Sequence, residues 1–92
     1  MNVEWDERKN VENIQKHGID FADVAEIFNY YMLIDLDDRE DYQEDRWVGI
    51  GMLRNNILVV VFTERRENTI RLISARKANK YERTRYQQAL PY

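Results

Sequence analysis

Between Asn55-Asn56 and the polar stretch that opens at Glu64, the chain reads Ile57-Leu58-Val59-Val60-Val61-Phe62, its longest uninterrupted apolar run. A run of this kind, rich in β-branched residues and bounded by turn formers, marks a strand at the centre of a sheet. It is far shorter than the roughly 20 apolar residues a membrane span requires. A chain of 92 residues buries only about 60 to 65% of the surface its unfolded form would expose. The expectation is therefore an α+β fold in a single domain over residues 1–92, with one layer of helices on one sheet and a shallow site.

The other elements follow from local patterns. Val3-Glu4-Trp5 reads as a short edge strand. Asp6 suits an N-cap and Glu7 a first turn, with Val11 and Ile14 three apart on one helical face. Lys16, His17 and Gly18 form the stop: two bases at the negative helix end, then a residue free to turn left-handed, with Ile19 folding back onto Ile14. Asp20 caps a second helix whose Phe21, Val24, Ala25 and Phe28 make an apolar stripe ending near Tyr30. Met32 to Leu36 predicts a strand, and Asp37 to Asp41 a solvated acidic loop. Arg46 to Leu53 predicts the next strand, loosened by Gly49 and Gly51. Asn55-Asn56 then turns into the apolar run, extended to Thr63. Glu64 to Asn68 is a turn, Thr69 to Ser74 a strand, and Lys77 to Leu90 a helix that Pro91 stops. The order is strand, helix, helix, three or four antiparallel strands, helix.

Composition excludes several function classes. With no Cys and one His, the chain offers no thiolate nucleophile, no disulfide and no paired-His zinc motif. Asp35 to Asp41 has the spacing of acids seen in calcium loops, but Arg39 and Glu40 occupy positions that need an oxygen ligand and a glycine. No glycine-rich phosphate loop or dinucleotide fingerprint is present, so neither metal nor cofactor is expected. The opening Met1-Asn2-Val3-Glu4-Trp5-Asp6 has no signal-peptide pattern, which makes the expected location cytoplasmic. Charge is divided unequally: residues 1–45 hold 4 Lys+Arg and 14 Asp+Glu, residues 46–92 hold 10 and 3. A basic half interleaved with aromatics suits a polyanion, and an acidic half suits a basic protein segment. The plainer outcome is that folding mixes the two signs again.

Trp5-Asp6, Lys9-Asn10, Asn13 and Lys16-His17-Gly18 with Phe21, followed by Glu44-Asp45-Arg46, Gly51, Arg71-Leu72-Ile73-Ser74-Ala75-Arg76-Lys77-Ala78, Glu82-Arg83 and Tyr86, form an ordered set. It resembles the BrnT toxins, ribonucleases of the BrnT/BrnA type II toxin–antitoxin systems, from about Trp5 to Tyr86. The resemblance implies a RelE-like fold, metal-independent RNA cleavage that arrests growth, and neutralisation by a BrnA-like ribbon-helix-helix antitoxin. It also implies that DNA is reached only indirectly, through the antitoxin.

Cutting RNA without a metal requires deprotonation of the 2′-hydroxyl, stabilisation of charge on the pentacoordinate phosphate, and protonation of the leaving 5′-oxygen. Arg46, Arg71 and Arg76 are the candidates for the second service, because a guanidinium makes paired contacts to phosphate oxygens and keeps its charge. The plainer reading is surface cations paired with acids such as Glu44 or Glu82. His17 is the default acid or base by its pKa, although its place beside Gly18 also gives it a purely structural role. Glu82 and Tyr86, four apart, are candidates for an acid or hydroxyl at the site; the alternative for Tyr86 is packing on the sheet. Lys9 and Lys16 are candidate RNA contacts. Lys77, Lys80 and Arg83 are further ones, broadly sharing a helix face that follows an RNA backbone. A non-catalytic RNA-binding or regulatory module is the alternative function.

Overall fold

The apolar run is the core of β4 (Asn56–Arg65), the middle strand of a five-stranded sheet ordered β1-β5-β4-β3-β2. The computed structural model describes residues 1–91. β1 (Asn2–Trp5) leads into α1 (Glu7–His17), α2 (Phe21–Val24) and a 3₁₀ turn over Ala25–Asn29. β2 (Met32–Asp37), β3 (Arg46–Leu53), β4 and β5 (Thr69–Lys77) then form an antiparallel meander, and α3 (Lys80–Ala89) closes the order. The α+β expectation holds. The sheet is mixed rather than purely antiparallel, because β1 pairs in parallel with β5, Asn2 opposite Thr69 through Trp5 opposite Leu72.

Both faces of β4 are covered, which is why its sequence does not alternate. On one face Leu58, Val60 and Phe62, with Leu72 and Ala75 of β5, pack against Phe21, Val24 and Ile27. On the other, Ile57 and Val59, with Ile50 of β3, pack against Ala78 and Tyr86. Helical layers thus lie on both sides of the sheet, where the sequence suggested one. Gly51 does not loosen β3. A Cβ there would sit 2.9 Å from Ile27 Cδ1, so the missing side chain is the space that Ile27 fills.

Several boundaries move for identifiable reasons. The second helix breaks into α2 and the 3₁₀ turn, and its most buried late residue is Ile27, outside the Phe21–Val24–Ala25–Phe28 stripe. The β3–β4 turn is Arg54-Asn55, with Arg54 left-handed at φ 56°, since Asn56 already pairs with Leu53. Asp37 is not in a solvated loop: it ends β2 and is 6% exposed. Lys77 ends β5, and α3 begins three residues later behind an Asn79–Glu82 capping box.

α1 shows the largest departure. Asp6 caps it through Arg8 and Lys9 N–H groups, and Gly18 ends it at φ 71° with its N–H donated to Ile14 O, as expected. Yet Val11 and Ile14 are exposed, and the face turned inward carries Asn10 and Asn13. Asn13 Oδ1 accepts from Ala75 N at 3.0 Å, while its Nδ2 donates to Ala75 O at 2.9 Å and Ile19 O at 3.0 Å. Asn10 Oδ1 accepts from Phe21 N and its Nδ2 donates to Asp20 Oδ1. Hydrogen bonds rather than apolar burial seat this helix.

Truncating Asn13 strands the buried N–H and C=O of Ala75, so Asn13→Ala is expected to lower unfolding free energy by about 2–4 kcal/mol. Val11→Ala, on the exposed face, is expected to stay within about 0.5 kcal/mol of wild type. Urea denaturation of the two variants checks the contrast.

Candidate functional site

β5 carries a bulge: Val61 pairs with Ser74 and Phe62 with Leu72, leaving Ile73 as an extra residue. Arg71 and Arg76 are five apart, and in a regular strand an odd separation puts two side chains on opposite faces. The bulge corrects the parity. Arg76 lies opposite Val59 and Arg71 opposite Thr63, so both stand on the α3 face of the sheet. Arg46, one step beyond the Trp47–Phe62 pair, stands on that face too. α3 packs over the Ile50, Ile57 and Val59 end of the face. The three arginines lie toward the other end or along the helix border.

Register then defines one row crossing all five strands: Glu4, Arg71, Thr63, Arg46, Asp37. Arg71 Nη1 donates to Glu4 Oε2 at 2.6 Å. Arg46 lies with its guanidinium carbon 4.0 Å from the centre of the Tyr42 ring, and its Nε is 3.7 Å from Glu44 Oε2, too long for a hydrogen bond. Two buried polar atoms in this row have no hydrogen-bond partner among the described residues, Arg46 Nε and Thr63 Oγ1. Thr63 is 1% exposed. A buried hydroxyl and a buried guanidinium nitrogen left without partners are costly, and here they are neighbours in the row.

Two arginine–carboxylate forks flank it. Arg76 donates from Nη1 and Nη2 to the two oxygens of Glu82, both at 2.8 Å. The same Glu82 accepts from Asn79 N, completing the helix cap. Arg39 makes a second fork to Asp37, at 2.8 and 2.9 Å, which Tyr42 joins through its hydroxyl at 3.3 Å. The Arg76 bond holds the Glu82 carboxyl below its ordinary range against the opposing effect of burial, and Glu82 raises Arg76 in turn. Arg39 does the same to Asp37. Glu82 is therefore ionised near neutrality and does not serve as the resting proton donor considered from sequence.

The remaining expected residues are distributed differently. His17 is half-buried in the last turn of α1, and Lys9 and Lys16 are exposed on that helix, which sits against β5 through Asn13; none belongs to the arginine row. Lys77, Lys80 and Arg83 do not share a helix face, because Lys77 is a strand residue opposite Leu58, whose side chain enters the other core. Lys80 opens α3 exposed, and Arg83 Nη1 is turned back onto Ala78 O at 2.9 Å. Tyr86 is 4% exposed and packs in the sheet–α3 core, donating its hydroxyl to Tyr31 O at 3.2 Å. That is the packing alternative. Sequence reasoning did not single out Thr63 or Tyr42 for the site; Thr63 looks like the polar end of an apolar strand until the register is known.

Folding also mixes the two charge halves. Arg46, Arg54, Arg65, Arg71 and Arg85, all from the basic half, lie within 4.0 Å of Glu44, Asp23 and Glu26, Glu44, Glu4 and Asp35 respectively. Among the described residues no group of three or more His, Asp or Glu side chains is arranged to hold a metal ion. No helix among them is long and apolar enough to cross a membrane.

Residues 5–82 match the family profile of the ribonuclease toxin BrnT of type II toxin–antitoxin systems. The crystal structure of BrnT, the ribonuclease toxin of Brucella abortus, superposes with a TM-score of 0.68 at 33% identity, covering 87% of this chain and 99% of that one. A search of curated proteins gives no match.

The forks set an acid limit on stability. A carboxylate whose folded pKa is depressed contributes stability that is complete above its unfolded value and lost as pH falls through the folded one. For Asp37 and Glu82 the ordinary values are 3.8 and 4.5. Thermal melts from pH 7 down to pH 3 should show the midpoint falling below about pH 4.5. Asp37→Asn should start lower at pH 7 and fall less steeply.

Proposed function

The chain belongs to the BrnT family of ribonuclease toxins of type II toxin–antitoxin systems, and on that premise we propose that it is a metal-independent endoribonuclease whose arginine row binds the scissile phosphate. The observation that carries this reading is that Arg46, Arg71 and Arg76 stand on one sheet face, Arg46 and Arg71 beside the buried Thr63 hydroxyl, which like Arg46 Nε has no hydrogen-bond partner among the described residues. These donors fit phosphate oxygens, which are charged acceptors with room for several hydrogen bonds. RNA enters by exchange: phosphate replaces Glu4 on Arg71 and draws the Arg76 fork toward itself.

That exchange also supplies the base. Arg76 is the main cause of the low Glu82 pKa. As the guanidinium shifts to the phosphate, one carboxylate oxygen is released and its basicity returns toward the ordinary range. Glu82 then accepts the 2′-hydroxyl proton. The 2′-oxygen attacks the adjacent phosphorus, the bond to the 5′-oxygen breaks and that oxygen takes a proton from solvent, leaving a 2′,3′-cyclic phosphate and a 5′-hydroxyl end. The arginines, once moved onto the phosphate, stabilise the extra negative charge of the pentacoordinate state. A cognate antitoxin of the BrnA-like ribbon-helix-helix kind neutralises the activity.

Incubation of the purified chain with bulk RNA in excess chelator tests this. Wild type is expected to cleave, and Arg76→Ala and Arg46→Ala, prepared identically, to lose about 10² to 10³ in rate. Loss of wild-type cleavage on chelation, or equal cleavage by the variants, counts against it. RNA binding without cleavage by any form makes the chain an RNA-binding module. Thr63→Val keeps the side-chain shape while deleting the hydroxyl, so its melting temperature should equal or exceed wild type and its cleavage rate should fall about tenfold, a loss of some 1.4 kcal/mol of transition-state binding.

A further inference from the structure

One residue along from the arginine row, on the opposite face of the sheet, lies a second row: Leu36, Trp47, Phe62, Leu72. Near β5 this face is covered by α2 and its neighbours, but toward β2 it is open. Ile34 is 47% and Leu36 50% exposed, both on β2, which is an edge strand. Ile34 lines a groove of about 260 Å³ together with Phe28, Trp47, Phe62, Glu64 and Ile70, and Leu36 pairs across the strands with Trp47. Exposed apolar side chains on an unpaired edge are an aggregation hazard unless a partner covers them.

The surrounding charge states which partner. From residue 34 to residue 45 the chain carries seven carboxylates and one arginine; Asp35, Asp37 and Glu44 sit on Arg85, Arg39 and Arg46, which leaves Asp38, Glu40, Asp41 and Asp45 exposed on the loop. The loop after β2 gathers several of them around a single cavity with Leu36 in its wall. A second copy docking here would set these four carboxylates against the same four. RNA would be repelled by them. A protein segment with apolar side chains flanked by Lys or Arg meets both features.

We propose that the face formed by Ile34, Leu36 and Trp47, with the acidic loop 38–45 beside it, is the docking surface for a basic, apolar segment of the antitoxin. This rests on the family's toxin–antitoxin pairing. The apolar part of this surface, Ile34, Leu36 and Trp47, is back to back with the arginine row, whereas the loop reaches round to it, with Tyr42 and Glu44 against Arg46. Loop 38–45 also places Tyr42 on Arg46, and a segment bound to that loop touches the site through it.

The test uses the full chain and, as probe, the purified product of the reading frame adjacent to its own gene. Ile34→Ser/Leu36→Ser is expected to weaken binding at least about tenfold while RNA cleavage by the variant stays at the wild-type rate and resists inhibition by the probe. Asp38→Lys/Glu40→Lys, at two exposed loop positions, is expected to weaken binding similarly and to flatten its salt dependence. Unchanged affinity in both variants overturns the proposal. So does a wild-type dimer in sedimentation that the Ser variant abolishes, which would make the face a contact between copies. Absence of cleavage by the wild type would bear on the ribonuclease reading alone, because the affinities are measured without RNA.

Discussion

The Asn13 carboxamide holds together parts of the chain that share no apolar contact surface of comparable specificity. β5 is paired with β4 along its length, but its outer side loses β1 after Leu72. Three residues later, just past the bulge, the backbone of Ala75 would be left with unmet hydrogen-bonding groups inside the protein. Asn13 supplies both a donor and an acceptor there, completing the strand with a side chain. The same amide reaches Ile19 O and so fixes the turn into α2. Since Phe21, Val24 and Ile27 follow that turn into the core, one polar residue orients both the sheet edge and the helical layer over it.

How far the sequence could be read depended on whether a feature was local or relational. Caps, stops and the central strand are local: Asp6, Gly18, Asp20 and the Ile57–Phe62 run did what their chemistry dictates. The Val11–Ile14 pair misled because apolar spacing was taken to mark the buried face, whereas two asparagines with better partners turned inward. The site was half legible. Arg46, Arg71 and Arg76 could be named from their chemistry, and the Arg76–Glu82 and Arg46–Glu44 pairings from proximity in sequence. That neighbouring antiparallel strands bring them together is readable from their spacing as well; that Arg71 and Arg76 share a face is not, because it depends on a bulge at Ile73 that alternation alone argues against. Thr63 was invisible for the same reason, since its significance lies in what stands opposite it.

The distribution of charge has a physical reading as well. A chain whose halves carry opposite charge can neutralise itself on folding, and five arginines of the second half do so with acids of the first. Exposed pairs of this kind contribute little to stability. The acids left over are concentrated in the loop after β2, whose Tyr42 and Glu44 reach Arg46 on the same sheet face as α3.

The parallel pairing of β1 with β5 has a consequence in time. Glu4 waits for Arg71, 67 residues away, and Asn13 for Ala75, 62 away. Contacts of such separation form late, and the local hairpins β2–β3 and β3–β4 have no such wait. During synthesis, Phe28, Ile34, Leu36, Trp47 and Phe62 leave the ribosome before Arg71, Arg76 or Glu82 has been joined to the chain. The residues of the apolar groove therefore precede those that complete the arginine-bearing face, and the nascent chain can present an apolar surface before that face exists.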